Sequence, residues 1–316
     1  MAPRILVVYK KDAYQQYIQE QQDAHLVRLL RQKHPDMLDM QRAHTVHKEA
    51  LESVVHELRK ARVRFDWVYR ADLRGIRRYQ LVVSVGGDGT FLQAARSVEN
   101  TPILGVNSDP RRSEAVFCAA TTQTFAGLLH RALEGQLPEL HLHRLLLVLN
   151  GRKLDYKAIN DVLIVHDDPA ALSRYRLSIR GRSETQKSSG LWVSTAAGSS
   201  SAIWAAGGAR LPWGVKAFQY RPRELYRGRL SNCRLLGGVL RAPLLMRVTW
   251  LMRRGSACID GSHIRIPLRL ADELQVRLDL KDPLRVLGLS ASHKGNHRKE
   301  VTKSKRPAAL AAGRTR

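Results

Sequence analysis

Five residues could do chemistry on sight. Gly86-Gly87-Asp88-Gly89-Thr90 follows an apolar, β-branched run at residues 80–85 and precedes a helical pattern. Glycine has no side chain to block approach, so such a turn at the carboxyl end of a strand lets a phosphate reach backbone N–H groups. Neither G-x-G-x-x-G nor G-x-x-x-x-G-K-[ST] fits, and no lysine follows. The turn presents a carboxylate instead. An acid beside phosphates repels them unless it holds a divalent ion or takes a proton from an attacking hydroxyl. Both tasks belong to phosphoryl transfer to an alcohol. The bland alternative is a common Asp-Gly turn with Thr90 capping the next helix. The strand–turn–helix setting favours chemistry.

This constellation resembles the NAD kinase family, whose relatives include the diacylglycerol and sphingosine kinases. Three further stretches carry the resemblance. Ala158-Ile159-Asn160-Asp161 resembles the Asn-Glu element that holds the ribose of a dinucleotide. Residues 190–201, from Gly190-Leu191 to Gly198-Ser199-Ser200-Ser201, resemble the second glycine motif, with the pair Gly207-Gly208 after it. Ile259-Asp260-Gly261 resembles the Asp-Gly that closes the family's β domain. The likeness implies a kinase moving the γ-phosphate of ATP to the adenosine ribose 2′-hydroxyl of NAD or NADH. It implies Asp88 as general base or metal-proximal acid, with Gly86, Gly87, Gly89 and Thr90 forming the phosphate turn. Asn160 and Asp161 would bind ribose hydroxyls. Gly198, Ser199, Ser200, Ser201, Ala202 and Ala205 would line the dinucleotide site, with Arg174, Ser189, Asp260 and Gly261 as further contacts. Mg²⁺ or another divalent ion is implied, its ligands unassigned, and so is a homodimer or homotetramer.

Departures from the family pattern are specific. Ser189 stands where an acid precedes Gly-Leu, Ala202 where a tyrosine is usual, and Asp161 in place of Glu. The G-H-L-G-F motif after the fourth strand is missing, and Ser113-Glu114-Ala115-Val116-Phe117-Cys118 stands near its place. These changes are similar to the plant-type NADH kinases. Oxidised nicotinamide is cationic and reduced nicotinamide neutral, so loss of an acid at position 189 leans toward NADH.

The elements that must position these residues change character along the chain. Residues 4–9, 63–70, 80–85 and 102–106 read as strands, and 47–61, the segment from Thr90, and 122–133 as helices. That βαβ rhythm predicts a Rossmann-like α/β domain with a parallel sheet over residues 1–138. Residues 141–149, 153–165, 174–180, 191–194, 247–252, 257–259, 274–280 and 284–289 read as strands, with one short helix at 200–207. Residues 139–290 are therefore expected to form a mostly-β sandwich that binds the dinucleotide. Residues 207–245 show no clean period. The pairs His44/His47 and His141/His143 read as surface residues, and His166-Asp167-Asp168 as turn chemistry.

Composition bounds the rest. Of 316 residues, 44% are hydrophobic, enough for full cores. Three cysteines without C-x-x-C spacing argue against a disulfide framework and fit a reducing compartment. No apolar stretch reaches membrane-spanning length, and the first strand starts near residue 4, so a cytoplasmic protein is expected. The net charge is +25, of which a basic tail at 291–316, expected to be disordered, carries +7 and the body the rest. That charge keeps open a non-catalytic nucleic-acid binder on a kinase-like fold, although no aromatic stripe accompanies the basic residues. A lipid kinase is the other alternative, and it needs an apolar acyl pocket. Neither nucleic acid nor membrane is the expected partner.

Overall fold

The computed structural model describes residues 3–74, 76, 78–228 and 232–290; the expected disordered tail at 291–316 lies outside the described residues. The chain opens with β1 (Arg4–Tyr9), a π-helical turn, α1 (Ala24–Arg31), α2 (Pro35–Lys60) and β2 (Arg64–Tyr69). Then come β3 (Leu81–Gly86), α3 (Asp88–Arg96), β4 (Ile103–Asn107), β5 (Ala120–Thr121) and α4 (Phe125–Leu133). The strands lie parallel in the order β2-β1-β3-β4. All six residues of β3 are buried, because both sheet faces are covered. Val54 and Leu58 of α2 with Phe125 and Leu129 of α4 pack on one face, Phe91 and Ala95 of α3 on the other. α2 starts at Pro35, twelve residues before the periodicity at His47 suggests, because its first half is polar and exposed on most sides. Pro at a first helical turn gives up an N–H that would have no partner anyway.

The second half begins with β6 (Glu139–Leu149), β7 (Arg152–Ala158), β8 (Asp161–Val165), β9 (Ser173–Ile179), β10 (Arg182–Ser188) and β11 (Leu191–Thr195). A 3-10 turn at Ala197–Ser200 leads to the single-turn α5 (Ala202–Ala205). β12 (Ala217–Pro222), β13 (Gly238–Arg241), β14 (Leu245–Trp250), β15 (Gly255–Ile259), β16 (Ile264–Leu268) and β17 (Glu273–Leu287) complete the fold. One antiparallel sheet runs β13-β12-β11-β8-β15-β16. The other runs β10-β9-β14-β17, and β6 and β7 continue it beyond β17. Tyr175, Leu177, Phe218 and Trp250 are among the side chains filling the space between them, so the second half is the expected sandwich.

Two strand expectations are corrected. Residues 153–165 are two strands, not one: the chain leaves the first sheet at Ala158 and enters the second at Asp161. Conversely, 274–280 and 284–289 belong to one strand, β17, whose register against β6 shifts between Asp279 and Leu284. β17 also lies parallel beside β4, with Val286 opposite Ile103, and so joins the sandwich to the parallel sheet.

The irregularity in β17 is held by charge. Lys157 Nζ lies 2.7 Å from Asp279 Oδ2 and 2.6 Å from Asp282 Oδ2. Buried Arg144 donates to Asp282 Oδ2 at 2.7 Å and to the Val98 carbonyl at 2.7 Å, reaching from β6 to the segment after α3. Removing Arg144 leaves the Val98 carbonyl without its donor and Asp282 with Lys157 as its one remaining cation among the described residues. Arg144→Met is therefore expected to cost about 2–4 kcal/mol in urea unfolding. A loss within experimental error would show that the irregularity holds without this clamp.

Candidate active site

The glycine turn lies at the carboxyl edge of the parallel sheet, where open α/β folds bind ligands. Register fixes its neighbours. Tyr9 is opposite both Tyr69 and Val85, and Gly86 is opposite Asn107. Arg70, Lys10, Gly86 and Asn107 therefore end four adjacent strands, side by side. A Cβ on Gly86 would sit 2.3 Å from Thr90 Oγ1, so only glycine lets α3 start this close to β3. Gly87 occupies the N-cap position and Thr90 is buried inside the first turn of α3, so Thr90 does not cap the helix.

Asp88 is the first residue of α3. Its carboxylate accepts from the backbone N–H groups of Val116 at 3.1 Å and Phe117 at 2.9 Å. Burial pushes its pKa up; the two N–H bonds pull it back and nearby Glu114 adds to the rise. The segment supplying these N–H groups folds over the turn. Asn107 Nδ2 donates to the Ser113 carbonyl at 2.7 Å, and Asn107 Oδ1 accepts from Asp109 N at 3.0 Å. Ser113 Oγ would be 3.0 Å from a Cβ on Gly87. Phe117 stacks between Phe91 and Trp213, at centroid distances of 5.2 and 5.3 Å. A cavity of about 380 Å³ opens beside this segment, lined by Asn107, Arg111, Ser113, Glu114 and Cys118 among others. His47, expected on the surface, is buried: Ser108 Oγ lies 3.0 Å from its Nδ1 and the Lys10 carbonyl 2.9 Å from its Nε2.

A second cluster forms where β7 hands over to β8. Asp260, at φ +47°, turns its wholly buried carboxylate toward that crossing. It accepts from the N–H groups of Ile159, Asn160 and Asp161 at 3.1, 2.7 and 3.1 Å. Arg96, at the end of α3, donates to the Asp260 carbonyl at 2.7 Å, and its Nε is 3.6 Å from Asp260 Oδ2. Burial pushes the Asp260 pKa up, while the N–H donors and Arg96 act against that. The second glycine motif closes the corner. Thr195 N and Ser194 Oγ donate to the Asn160 carbonyl at 3.1 Å each. A Cβ on Gly198 would lie 2.0 Å from that carbonyl oxygen, so glycine is required there. Asn160 Nδ2 and Ser201 Oγ both donate to Asp161 Oδ2, at 3.1 Å. Burial, with the charge of Asp260, pushes the Asp161 carboxyl up to about 7.

The two clusters meet. Ile159 and Ala197, which flank Asn160 and Gly198, share one apolar cluster with Phe91 and Phe117 beside Asp88. Ser200, Ala202 and Ala205 are exposed beside this corner. Other expected contacts take different places. Asp260 has its oxygens occupied by backbone donors and shapes the corner from beneath. Ser199 is buried, with Oγ donating to Ala196 O at 2.7 Å and accepting from Leu211 N at 2.8 Å, so it clamps a loop. Gly261 follows at φ +102° with open space around it. Arg174 is exposed on the outer face of β9, since Ser173, Tyr175 and Leu177 point inward. Ser189 precedes β11 at the end far from Asp161, five residues or roughly 17 Å from Ser194. Neither Arg174 nor Ser189 joins the corner within this chain. Among the described residues, no three His, Cys, Asp or Glu side chains converge as a metal cage. Lys10, Arg70 and Asn107 went unmarked in the sequence. Their only signal is position: each follows or ends a strand of the parallel sheet.

A family model, the ATP-NAD kinase N-terminal domain, matches residues 5–136. A probable NADH kinase from Oryza sativa subsp. japonica is 35% identical over 259 residues, covering 74% of this chain and 79% of its own. An NAD kinase from Archaeoglobus fulgidus, solved in complex with ATP, superposes with a TM-score of 0.66 at 17% identity, over 92% of this chain and 94% of its own. Yeast NADH kinase, solved with NADH, gives 0.65 at 16% identity, over 96% and 91%.

The Asp161 carboxyl yields a pH test. Its folded pKa, about 7, lies above the ordinary carboxylate value, so its contribution to stability is full below about pH 4 and is lost as pH rises through about 7. Asp161→Asn removes that loss. The variant should gain on the wild type by a few kcal/mol between pH 4 and pH 7.5 in urea unfolding. A constant difference would mean Asp161 is already ionised at pH 5.

Proposed function

The chain belongs to the NAD kinase family, and from that premise we propose how its residues carry out the transfer. The protein is an enzyme, a phosphotransferase that acts on NAD(H). The reaction is transfer of the ATP γ-phosphate to the adenosine ribose 2′-hydroxyl. The relatives are NAD and NADH kinases, and nothing favours a lipid substrate.

The observation that carries the assignment of roles is the meeting of two elements: a half-buried carboxylate at a glycine turn, and the Asn160-Asp161 corner fastened to the helix that begins with that carboxylate. Asp88 takes the proton from the ribose hydroxyl. Burial raises its pKa, which strengthens it as a base, and the Val116 and Phe117 N–H groups fix its orientation. Asn160 and Asp161 present an amide and a carboxyl, the groups that pair with ribose hydroxyls. Gly86, Gly87 and Gly89 leave the turn open to phosphate. A divalent ion fits this donor set: Mg²⁺ characteristically binds through one or two carboxylates plus substrate phosphates, Asp88 is the carboxylate at the turn, and the ion would neutralise phosphate charge.

Within the family we assign a preference for NADH. Two departures at the corner support it, Ala202 and Asp161, together with the likeness to a plant chain named as a probable NADH kinase. We also assign a homodimer or homotetramer, as the family resemblance implies, and a cytoplasmic setting. Three free cysteines fit that setting, and among the described residues no helix is long and apolar enough to cross a membrane.

Two measurements test this reading. Steady-state kinetics with ATP and Mg²⁺ should give a kcat/KM for NADH at least equal to that for NAD; a clear excess for NAD overturns the preference. Asp88→Asn should lower kcat by about 10²-fold or more while the protein stays folded. A folded variant with near-normal turnover would leave Asp88 a turn residue.

A further inference from the structure

The row of strand ends holds two cations that the reaction has not yet used. Lys10 follows β1 and Arg70 follows β2, so they flank each other and Lys10 flanks Gly86. Both are half-buried. Their backbones are anchored: the Lys10 carbonyl lies 2.9 Å from His47 Nε2, and the Arg70 carbonyl accepts from Gln93 Nε2 of α3 at 3.2 Å. Arg70 Nη1 lies 3.7 Å from where a Cβ on Gly89 would be, which puts a guanidinium against the open face of the turn.

Other cations nearby are already engaged. Lys11 pairs with Glu20 at 2.8 Å, Arg96 is joined to Asp260, and Arg112 pairs with Asp39 at 2.6 Å and Asp109 at 3.1 Å. The acids nearest Lys10 are also taken: Asp12 Oδ2 is 2.8 Å from His44 Nδ1, and Asp109 holds Arg112. Among the described residues, Lys10 and Arg70 have no acid at ion-pair distance. Burial lowers the Lys10 pKa against the opposite pull of Asp12 and Asp109, and Arg70 adds to the lowering, so the two cations repel each other in the free protein. Such a pair becomes favourable when a polyanion lies between them.

We propose that Lys10 and Arg70 form a two-cation clamp that holds the polyphosphate of the donor over the Gly86–Gly89 turn. The assignment rests on the reading of this site as an ATP-dependent kinase. The guanidinium offers a planar fork for two phosphate oxygens and the ammonium a point charge, so the clamp reads the phosphate chain rather than the base. It acts on donor binding and leaves the dinucleotide corner untouched.

The test combines kinetics, binding and labelling. Lys10→Gln and Arg70→Gln should each raise KM for ATP about tenfold or more, with KM for NADH within twofold of wild type. Calorimetry without NADH should show the same loss for ATP and little change for AMP, which lacks the chain that the clamp holds. Lys10→Arg and Arg70→Lys should recover part of the loss. In the wild-type protein, ATP but not NADH should protect Lys10 from an amine-reactive reagent, read by mass spectrometry. That arm decides the matter should a glutamine variant fail to fold. Folded variants with unchanged ATP affinity, or an unprotected Lys10, overturn the clamp. Absence of NADH phosphorylation by the wild type would instead overturn the kinase reading, and ATP binding and protection would still judge the clamp.

Discussion

One buried carboxylate organises this molecule. Asp260 gathers three successive N–H groups as the chain crosses from one sheet to the other, and its own carbonyl accepts from the last side chain of α3. A chain that changes sheets must leave ladder groups unpaired, and buried N–H groups without partners are costly. Asp260 meets that requirement with two oxygens. The crossing it permits brings Asn160 and Asp161 toward the helix that begins at Asp88. Geometry at the two ends of the site is thus coupled through Arg96 and Asp260, neither of which needs to touch a ligand.

The glycine turn obeys a different constraint, which is closeness. Gly86 is pressed on Thr90, Gly198 on Asn160, and the segment carrying Ser113 lies over Gly87. Side chains at these positions would force the elements apart. The segment after β4 uses this closeness to supply N–H groups to Asp88, although it lacks the family's G-H-L-G-F pattern. Phe117 keeps an aromatic ring between Phe91 and Trp213, so the covering segment is fastened by stacking as well as by hydrogen bonds.

The sequence made some of this legible and concealed the rest for physical reasons. β1, β3 and β4 are continuous apolar runs because both faces are covered, and the run-to-glycine break located Asp88 directly. β10, with the sequence Arg182-Ser-Glu-Thr-Gln-Lys-Ser188, was invisible, since a solvent-facing strand at a sheet edge carries little apolar alternation. The crossing at Ile159-Asn160 was also hidden, because its turn is specified by an acid about a hundred residues away and not by local glycine or proline. The Asp-Gly at 260–261 is legible through its place in a motif, but a motif does not reveal whether a carboxylate faces ligand or backbone. Burial decided that. Lys10 and Arg70 carried no signal in their own identities; pairing register made them neighbours.

β17 has one more implication, for the order in which the protein can be made. Its residues complete β6, β14 and the exposed flank of β4, whose partner Val286 comes roughly 180 residues after Ile103. While the chain is still emerging from the ribosome, β4 can associate with β3 and, at Val106 and Asn107, with β5, but the stretch of its edge around Ile103 stays open until β17 has been synthesised. An open edge of this kind is a template for pairing with other chains. The nascent protein therefore passes through a long interval in which its parallel sheet keeps an open edge, and escape from that interval depends on the arrival of β17.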